Sequence, residues 1–321
     1  IHIDEIQRIP TLMNTIQAII DESPRIRFLL SGSSARKLAR GKANLLPGRV
    51  LFERLFPLTV REIVDSKSAF DVERALVTGL LPEVYFDEAI GPDVLASYVE
   101  TYLREEIRAE ALVKDLGAYS RFLDLAAEAS GQFINYAKLA SDAEVPKDTL
   151  RNYFQVLEDT LLIQRVTPYG GPGRVRKVRQ KDKFYFFDVG VRNALLRKLR
   201  STFTETEKGP LFEHLVFQEL WAARSYLKSE WALKTYRDDR GLEIDFILES
   251  DSRLVLVEVK YQQRFREDFA KGFDAFIPLF RTRKKIDRII VYAGESELRS
   301  KSGSRVLPLA SFVDFVYREL G

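Results

Sequence analysis

The residues best equipped for chemistry lie in the last third of the chain: Glu243-Ile244-Asp245-Phe246, then, after a polar break, Leu254-Val255-Leu256-Val257-Glu258-Val259-Lys260. With Ser250 to Arg253 as a four-residue hairpin loop, Asp245 stands directly opposite Glu258 on the neighbouring strand. Directly opposed residues share a face with Cβ atoms about 5 Å apart, so two unpaired carboxylates there repel each other. A divalent cation removes that repulsion. Lys260, two residues beyond Glu258, projects from the same face. Two carboxylates can hold Mg2+ or Mn2+, which acidifies a bound water and shields a phosphodiester, while an ammonium group orients the nucleophile or neutralises developing charge. Glu213, on an upstream helical stretch, is a candidate third oxygen ligand. The plain alternative is an exposed Glu–Lys pair on an edge strand; the apolar run around it argues against that.

A second pair of acids opens the chain. Ile1-His2-Ile3-Asp4-Glu5-Ile6 is expected to be a strand that delivers Asp4 and Glu5 at its carboxyl end, where ligands bind in parallel sheets. An amphipathic stretch from Thr11 to Glu22 leads to another short strand, Arg27 to Leu30, followed by Ser31-Gly32-Ser33. Strand, helix and strand of this length form a βαβ unit with parallel strands. Arg49, in Pro47-Gly48-Arg49, is a candidate phosphate contact, with an ordinary loop arginine as the alternative.

Composition narrows the classes. The chain has 321 residues, 50 Lys+Arg, 47 Asp+Glu, two His and no Cys, with 45% hydrophobic residues. That is a folded chain of about two domains. Without Cys there is no disulfide, thiolate nucleophile or Cys-type zinc site. Two isolated histidines exclude a multi-His centre and argue against a serine–histidine hydrolase, leaving a hard cation held by oxygen. No run of about 18 apolar residues and no signal-peptide pattern occur, so a cytoplasmic chain with no membrane partner is expected. The net charge of +3 does not by itself indicate a nucleic-acid partner. Two local basic runs are more telling: Arg174, Arg176, Lys177, Arg179, Lys181 and Lys183, then Arg281, Arg283, Lys284, Lys285 and Arg288. Either run alone is equally well a solvated loop. Met13 is the single methionine, and the first strand starts without a cap, so a longer parent protein is expected upstream.

Between these sites, Val50 to Leu58 is apolar and Thr59 to Leu80 has helical periodicity, broken at Gly79 and Pro82. Val94 to Thr160 is almost wholly helical in pattern. Within it, Tyr136 to Val145 and Pro146 to Leu157 predict two helices joined by a tight turn, with Pro146 in the first turn of the second. Leu161 to Asp188 then alternates around Gly170-Gly171-Pro172-Gly173 and carries the first basic run. Helix, turn, helix, wing is the layout of a winged helix, which meets DNA or docks proteins. Leu150, Tyr153, Phe154 and Leu157 place much of its second helix in the core. A polar linker is expected from Leu195 to Gly209, then a helix from Pro210 to Leu227 and strands near Trp231–Tyr236, Glu243–Leu248 and Leu254–Lys260. A helix at Phe265–Phe276 and a strand at Arg288–Ala293 follow.

Gly209-Pro-Leu-Phe-Glu213-His-Leu-Val-Phe-Gln-Glu219-Leu, with Glu243-Ile-Asp245-Phe and Val257-Glu258-Val-Lys260, resembles the PD-(D/E)XK nuclease-like fold over Gly209 to Val291. The resemblance implies that Asp245, Glu258, Lys260 and Glu213, or Glu219 as the alternative helix glutamate, act on DNA with Mg2+ or Mn2+. Ile244 stands where the family usually has proline. The first strand with Asp4-Glu5 resembles the Walker B motif of AAA-type ATPases. This implies that Asp4 helps hold Mg2+, Glu5 activates the attacking water, and the strand ending at Ser31 senses the γ-phosphate. With Leu55-Phe-Pro-Leu-Thr-Val-Arg-Glu62 and Gly79-Leu-Leu-Pro82-Glu83-Val84, the order is similar to prokaryotic AAA-type ATPases that carry a winged helix and a nuclease-like C-terminal domain. The phosphate loop G-x-x-x-x-G-K-[ST] is absent: Gly41-Lys42 is followed by Ala43, and Arg36 stands where the first glycine belongs. ATP is therefore implied for a longer parent that supplies that loop.

The expected architecture is α/β: a partial P-loop NTPase core over 1–92, a helical winged-helix segment over 93–194, and a PD-(D/E)XK restriction-endonuclease-like domain over 195–321. DNA, ATP in the parent and a second copy of the chain are the expected partners. The rival reading is a non-catalytic, nucleotide-gated interaction protein in which the nuclease-like domain is a scaffold.

Overall fold

The computed structural model describes residues 1–9, 11–32, 50–103, 115–171, 181–280 and 282–321. At the N-terminus, β1 (His2–Ile3) and β2 (Leu29–Leu30) pair in parallel and are joined through α1 (Leu12–Glu22). This is the expected βαβ outline with shorter strands. The first strand does not reach Ile6, because Glu5 adopts a left-handed φ of 51° and Ile6–Arg8 form a 3-10 turn. Ile6, Met13 and Ile16 make a small core beneath this unit.

The helical stretch from Thr59 to Leu80 is two helices, α2 (Val60–Asp65) and α3 (Val72–Thr78), followed by α4 (Pro82–Phe86). Each start has its own cap. Thr59 and Glu62 form a capping box, and the Asp71 side chain accepts the Arg74 N–H, so the backbone restarts rather than running through.

Next come α5 (Gly91–Ser97), α6 (Leu116–Ala129), α7 (Tyr136–Asp142) and α8 (Lys147–Asp159). A tight turn with Glu144 at φ 56° joins α7 to α8. Pro146 is the cap of α8 rather than part of its first turn. Leu150, Tyr153, Phe154 and Leu157 are buried with Phe122, Ile134 and Phe184, as the apolar face of α8 requires. β3 (Ile163–Pro168) and β4 (Lys183–Phe186) then pair antiparallel.

The remaining elements are α9 (Val189–Leu195), α10 (Glu205–Tyr226), β5 (Ala232–Arg237), β6 (Glu243–Glu249), β7 (Arg253–Lys260), α11 (Lys271–Phe276), β8 (Lys285–Tyr292), β9 (Leu298–Arg299), β10 (Arg305–Pro308) and α12 (Leu309–Glu319). The linker expected through Gly209 ends at Thr204. There Thr204 and Glu207 form a second capping box that starts α10 ahead of Pro210. The helix expected over Phe265–Phe276 is a 3-10 turn, Glu267–Ala270, leading into α11.

Among the described residues, eight strands form one mixed sheet in the order β4-β3-β5-β6-β7-β8-β10-β9. The β3–β4 ribbon joins it because Thr167 and Pro168 pair in parallel with β5. One face is covered by α10 and α12: Phe212, Leu215, Phe217 and Leu220 pack with Phe246, Leu248, Val255, Val257 and Phe312. Val60, Ile63, Ala75, Leu76 and Leu80, from α2, α3 and the turn after it, share that core. On the other face, α11 and the turn before it bring Phe269, Phe273 and Phe276 against Ile247, Leu254 and Leu256. Coverage on both faces explains why the central strands are continuous apolar runs. Each such buried Phe or Leu is worth about 1.5–3 kcal/mol.

Candidate active site on the β6–β7 hairpin

In the hairpin, Phe246 pairs with Val257, Ile247 with Leu256 and Glu249 with Leu254, and the Ser250 N–H donates to the Arg253 carbonyl at 2.9 Å. This is the register that sets Asp245 beside Glu258. The paired ladder stops there, because the Asp245 carboxylate itself accepts the Val259 N–H at 2.8 Å. On its other side, Lys234 pairs with Ile247 and Tyr236 with Ile244, so Asp245 and Phe246 together oppose Thr235. Such a bulge shifts the alternation of a strand by one residue. The packing shows the shift: Ile244 lies in the same core as Ile247, not with Phe246 and Leu248. Asp245 is thereby brought to a cavity of about 450 Å³ lined also by Pro210, Glu213, Val259, Lys260 and Tyr261. β7 lies between β6 and β8, so Glu258 and Lys260 are not on an edge strand.

Asp245 is buried. Burial, then the negative charges of Glu258 and Glu213, push its carboxyl well above the usual range, against Lys183 and Lys260. Burial also raises Glu258, with Lys260 opposing. Lys260 is pulled down by burial but held above its ordinary value by Glu258 and Asp245. The Lys260 ammonium donates to Glu258 Oε1 at 2.6 Å, and Glu258 Oε2 is buried with no hydrogen-bond partner among the described residues. A buried acceptor left unsatisfied costs about 1–3 kcal/mol, more when charged. The orphaned oxygen and the crowded Asp245 carboxylate are the donor chemistry a hard cation takes.

Glu213 is differently engaged. Its Oε1 accepts from the Lys183 ammonium at 3.1 Å and from the Tyr185 hydroxyl, and Lys183 also pairs with Glu243 at 2.7 Å. Among the described residues, no three or more His, Cys, Asp or Glu side chains are grouped so as to hold a metal. The expected three-carboxylate set of Asp245, Glu258 and Glu213 is therefore not grouped as a metal site: Glu213 borders the cavity of Asp245, but its Oε1 is engaged from β4 by Lys183 and Tyr185. Glu219, the alternative helix glutamate, is elsewhere: its Oε1 accepts the Val60 N–H at 2.9 Å. His214 is buried with a ring nitrogen 2.6 Å from the Phe186 carbonyl oxygen, and burial lowers it to about 3.

The basic runs change character. Lys183, expected on a DNA-facing wing, is 2% exposed and ion-paired. Arg174, Arg176, Lys177 and Arg179 lie outside the described residues, as does Arg281. In the second run Lys284 pairs with Glu249, Lys285 with Asp287 and Arg288 with Asp274, which neutralises much of it. Lys183 and Tyr185 were not assigned to the site from the sequence. The available signal was a lysine opening Lys183-Phe-Tyr-Phe186, a strand buried throughout.

At the N-terminus, Ser31 Oγ donates to Asp4 Oδ1 at 2.5 Å and lies 3.0 Å from His2 Nε2, tying together the ends of the two parallel strands. The Ser31 bond is the main reason the Asp4 carboxyl sits below its ordinary value. Glu5 is 3.8 Å from Arg8. Arg49 lies outside the described residues.

Residues 1–64 match an AAA domain family, so the N-terminal part of the chain is AAA-type ATPase-like. Residues 69–202 and 208–312 match two domains of unknown function, DUF8612 and DUF4143. The chain is 28% identical over 268 residues to an uncharacterized protein of Mycobacterium tuberculosis, covering 81% of this chain and 58% of that one. It is 24% identical over 279 residues to an uncharacterized protein of Haemophilus influenzae, covering 81% and 65%. A UPF0102 protein of a Sulfurihydrogenibium species is 39% identical over 89 residues, 27% of this chain and 64% of that protein. The chain spans less than two thirds of the length of these curated relatives. No helix among the described residues is long and apolar enough to cross a membrane.

Proposed function

We propose that the chain joins the later part of an AAA-type ATPase core to a PD-(D/E)XK-type phosphodiesterase site that cleaves DNA with Mg2+ or Mn2+, with a winged helix between them. The observation that carries the reading is the pair of carboxylates, buried Asp245 and half-buried Glu258, with Glu258 Oε2 unpartnered among the described residues and Lys260 beside them. Mg2+, when bound, would acidify a water and screen the phosphate. Asp245 is fixed by the Val259 N–H, and Glu258 keeps its second oxygen free for the ion. Lys260, 35% exposed at the cavity, places a positive charge where negative charge develops at the phosphate. The α7–turn–α8 pair followed by the β3–β4 ribbon supports the winged-helix reading. The tie between Asp4 and Ser31 supports a nucleotide-facing end of β1 and β2. ATP turnover belongs to a longer chain carrying the phosphate loop.

The test is cleavage of plasmid and single-stranded DNA with Mg2+ or Mn2+ beside a Lys260→Ala control. Cleavage by the wild type and not by the variant is expected; equal absence of cleavage in both would sink the nuclease assignment. Calorimetric titration with either ion tests the site separately, with Asp245→Asn expected to abolish binding. One observation favours the non-catalytic scaffold reading: Glu213 is committed to Lys183 and Tyr185 rather than to the hairpin carboxylates.

A further inference from the structure

We infer that Lys183 is a built-in counter-cation competing with the divalent ion for Glu213, so that β4 sets the metal affinity of the hairpin site. The inference rests on the metal-binding part of the proposed function and adds its regulation. Glu213 lines two cavities. One, of about 450 Å³, holds Asp245 and Lys260. The other, of about 710 Å³, is lined by Lys183, Glu243, Phe133 and Arg237. The side chain that could complete a cation site thus stands between the two cavities, and the contacts from β4 decide which side it serves.

Those contacts are strong. The Lys183 ammonium, 2% exposed, lies 3.1 Å from Glu213, 2.7 Å from Glu243 and 4.7 Å from the centre of the Phe133 ring. Tyr185 donates its hydroxyl to the same Glu213 oxygen. An ammonium out of water is costly to bury and is retained only where it is well paired. Here the pairing partner is the carboxylate that the hairpin acids lack. A cation held by Asp245 and Glu258 gains a third carboxylate only by drawing Glu213 from Lys183 and Tyr185. The binding free energy of the ion is therefore diminished by the strength of those two contacts. Removing the Lys183 charge while keeping its apolar stem releases Glu213 and leaves Glu243, among the described residues, with Arg237 alone, at 3.8 Å, to offset it, both of which favour a divalent ion.

The test is calorimetric titration of the full chain with MnCl2 and MgCl2. Lys183→Met is expected to tighten binding by about tenfold, the equilibrium equivalent of a hydrogen bond to a charged group. Tyr185→Phe, which removes only the hydroxyl, is expected to tighten it severalfold, and Lys183→Arg, which keeps the charge, should leave it near wild type. The gain should vanish in Lys183→Met combined with Glu213→Gln. Unchanged or weaker binding in folded Lys183→Met, or a gain that survives Glu213→Gln, overturns the inference. Where Lys183→Met does not fold, unchanged affinity in Tyr185→Phe overturns it instead. The two failures are distinguishable. Wild-type binding abolished by Asp245→Asn but untouched by changes in β4 refutes only the competition, whereas no binding by the wild type refutes the metal site and the competition together.

Discussion

Glu219→Gln isolates one buried proton. Glu219 is 3% exposed; its Oε1 accepts the Val60 N–H at 2.9 Å and its Oε2 has no partner among the described residues. Burial, opposed by the Val60 bond and reinforced by the charge of Glu62, raises the carboxyl to about 8 from an ordinary 4.5. Between those values the folded chain keeps a proton that the unfolded chain has released. The stabilisation is therefore full below pH 4.5, declines as pH rises and is gone above about 8. The slope is about 1.4 kcal/mol per pH unit, which across that window amounts to a loss on the order of 5 kcal/mol. A glutamine offers the same acceptor to Val60 and does not titrate. Urea unfolding of both proteins at pH 5, 6.5 and 8 should give nearly equal stabilities at pH 5 and an advantage of several kcal/mol for the variant at pH 8. Parallel stability curves from pH 5 to 8 would refute the claim that Glu219 is buried with its proton.

Three further outcomes follow from named contacts. Thr204→Ala removes the capping box that starts α10 and should cost about 1 kcal/mol in chemical denaturation. Gly79→Ala should cost more than about 3 kcal/mol, because Gly79 has φ +73° and a Cβ there would lie 2.0 Å from Asp188 Oδ1; a loss within experimental error would show that the turn is adaptable. His214, lowered by burial to about 3 from 6.5, contributes stability that is present above pH 6.5 and lost as pH falls toward 3. Acid unfolding of His214→Gln, which keeps a donor for the Phe186 carbonyl, should be less steep than wild type across that window, and identical slopes would contradict a neutral buried ring.

The hairpin was legible because its information is local: a polar turn between two apolar runs fixes a register, and the register places Asp245 against Glu258. The start of α10 was equally local but hidden, since Thr204-Glu-Thr-Glu-Lys-Gly-Pro210 has the composition of a linker while Thr204-x-x-Glu207 is a capping box. Other features depended on distant partners. The bulge at Asp245–Phe246 is defined by pairing with β5, and alternation within β6 alone cannot show it. The role of Lys183 was misplaced because a lysine after a basic run has the pattern of a solvated wing. Only the fold brings Glu213 and Glu243 to meet it. Likewise α2 closes the AAA-like segment and α3 follows it in sequence, yet they bury Val60, Ile63, Ala75 and Leu76 against α10 and the large sheet.

That shared core bears on the expected boundary at residue 195. A fragment of residues 195–321 keeps α10, the hairpin and α12, and so Glu213, Asp245, Glu258 and Lys260, the residues of the proposed metal site. It loses Val60, Ile63, Ala75, Leu76, Leu80, Tyr85, Val166, Tyr185 and Val189, all of which pack in the core with Phe212, Phe217 and Phe246. It also loses Lys183, leaving Glu213 and Glu243 without the ammonium that neutralises them. Uncovering several large apolar side chains, at about 1.5–3 kcal/mol each, removes as much as the whole net stability of a typical domain, about 5–15 kcal/mol. The fragment is therefore expected to be poorly folded, with no sharp thermal transition, whereas residues 56–321 should unfold cooperatively. A stable, cooperatively melting 195–321 fragment would mean that the core contacts from α2, α3 and β4 are peripheral. It would also free Glu213 for the hairpin, so its cation affinity would report directly on the competition assigned to Lys183.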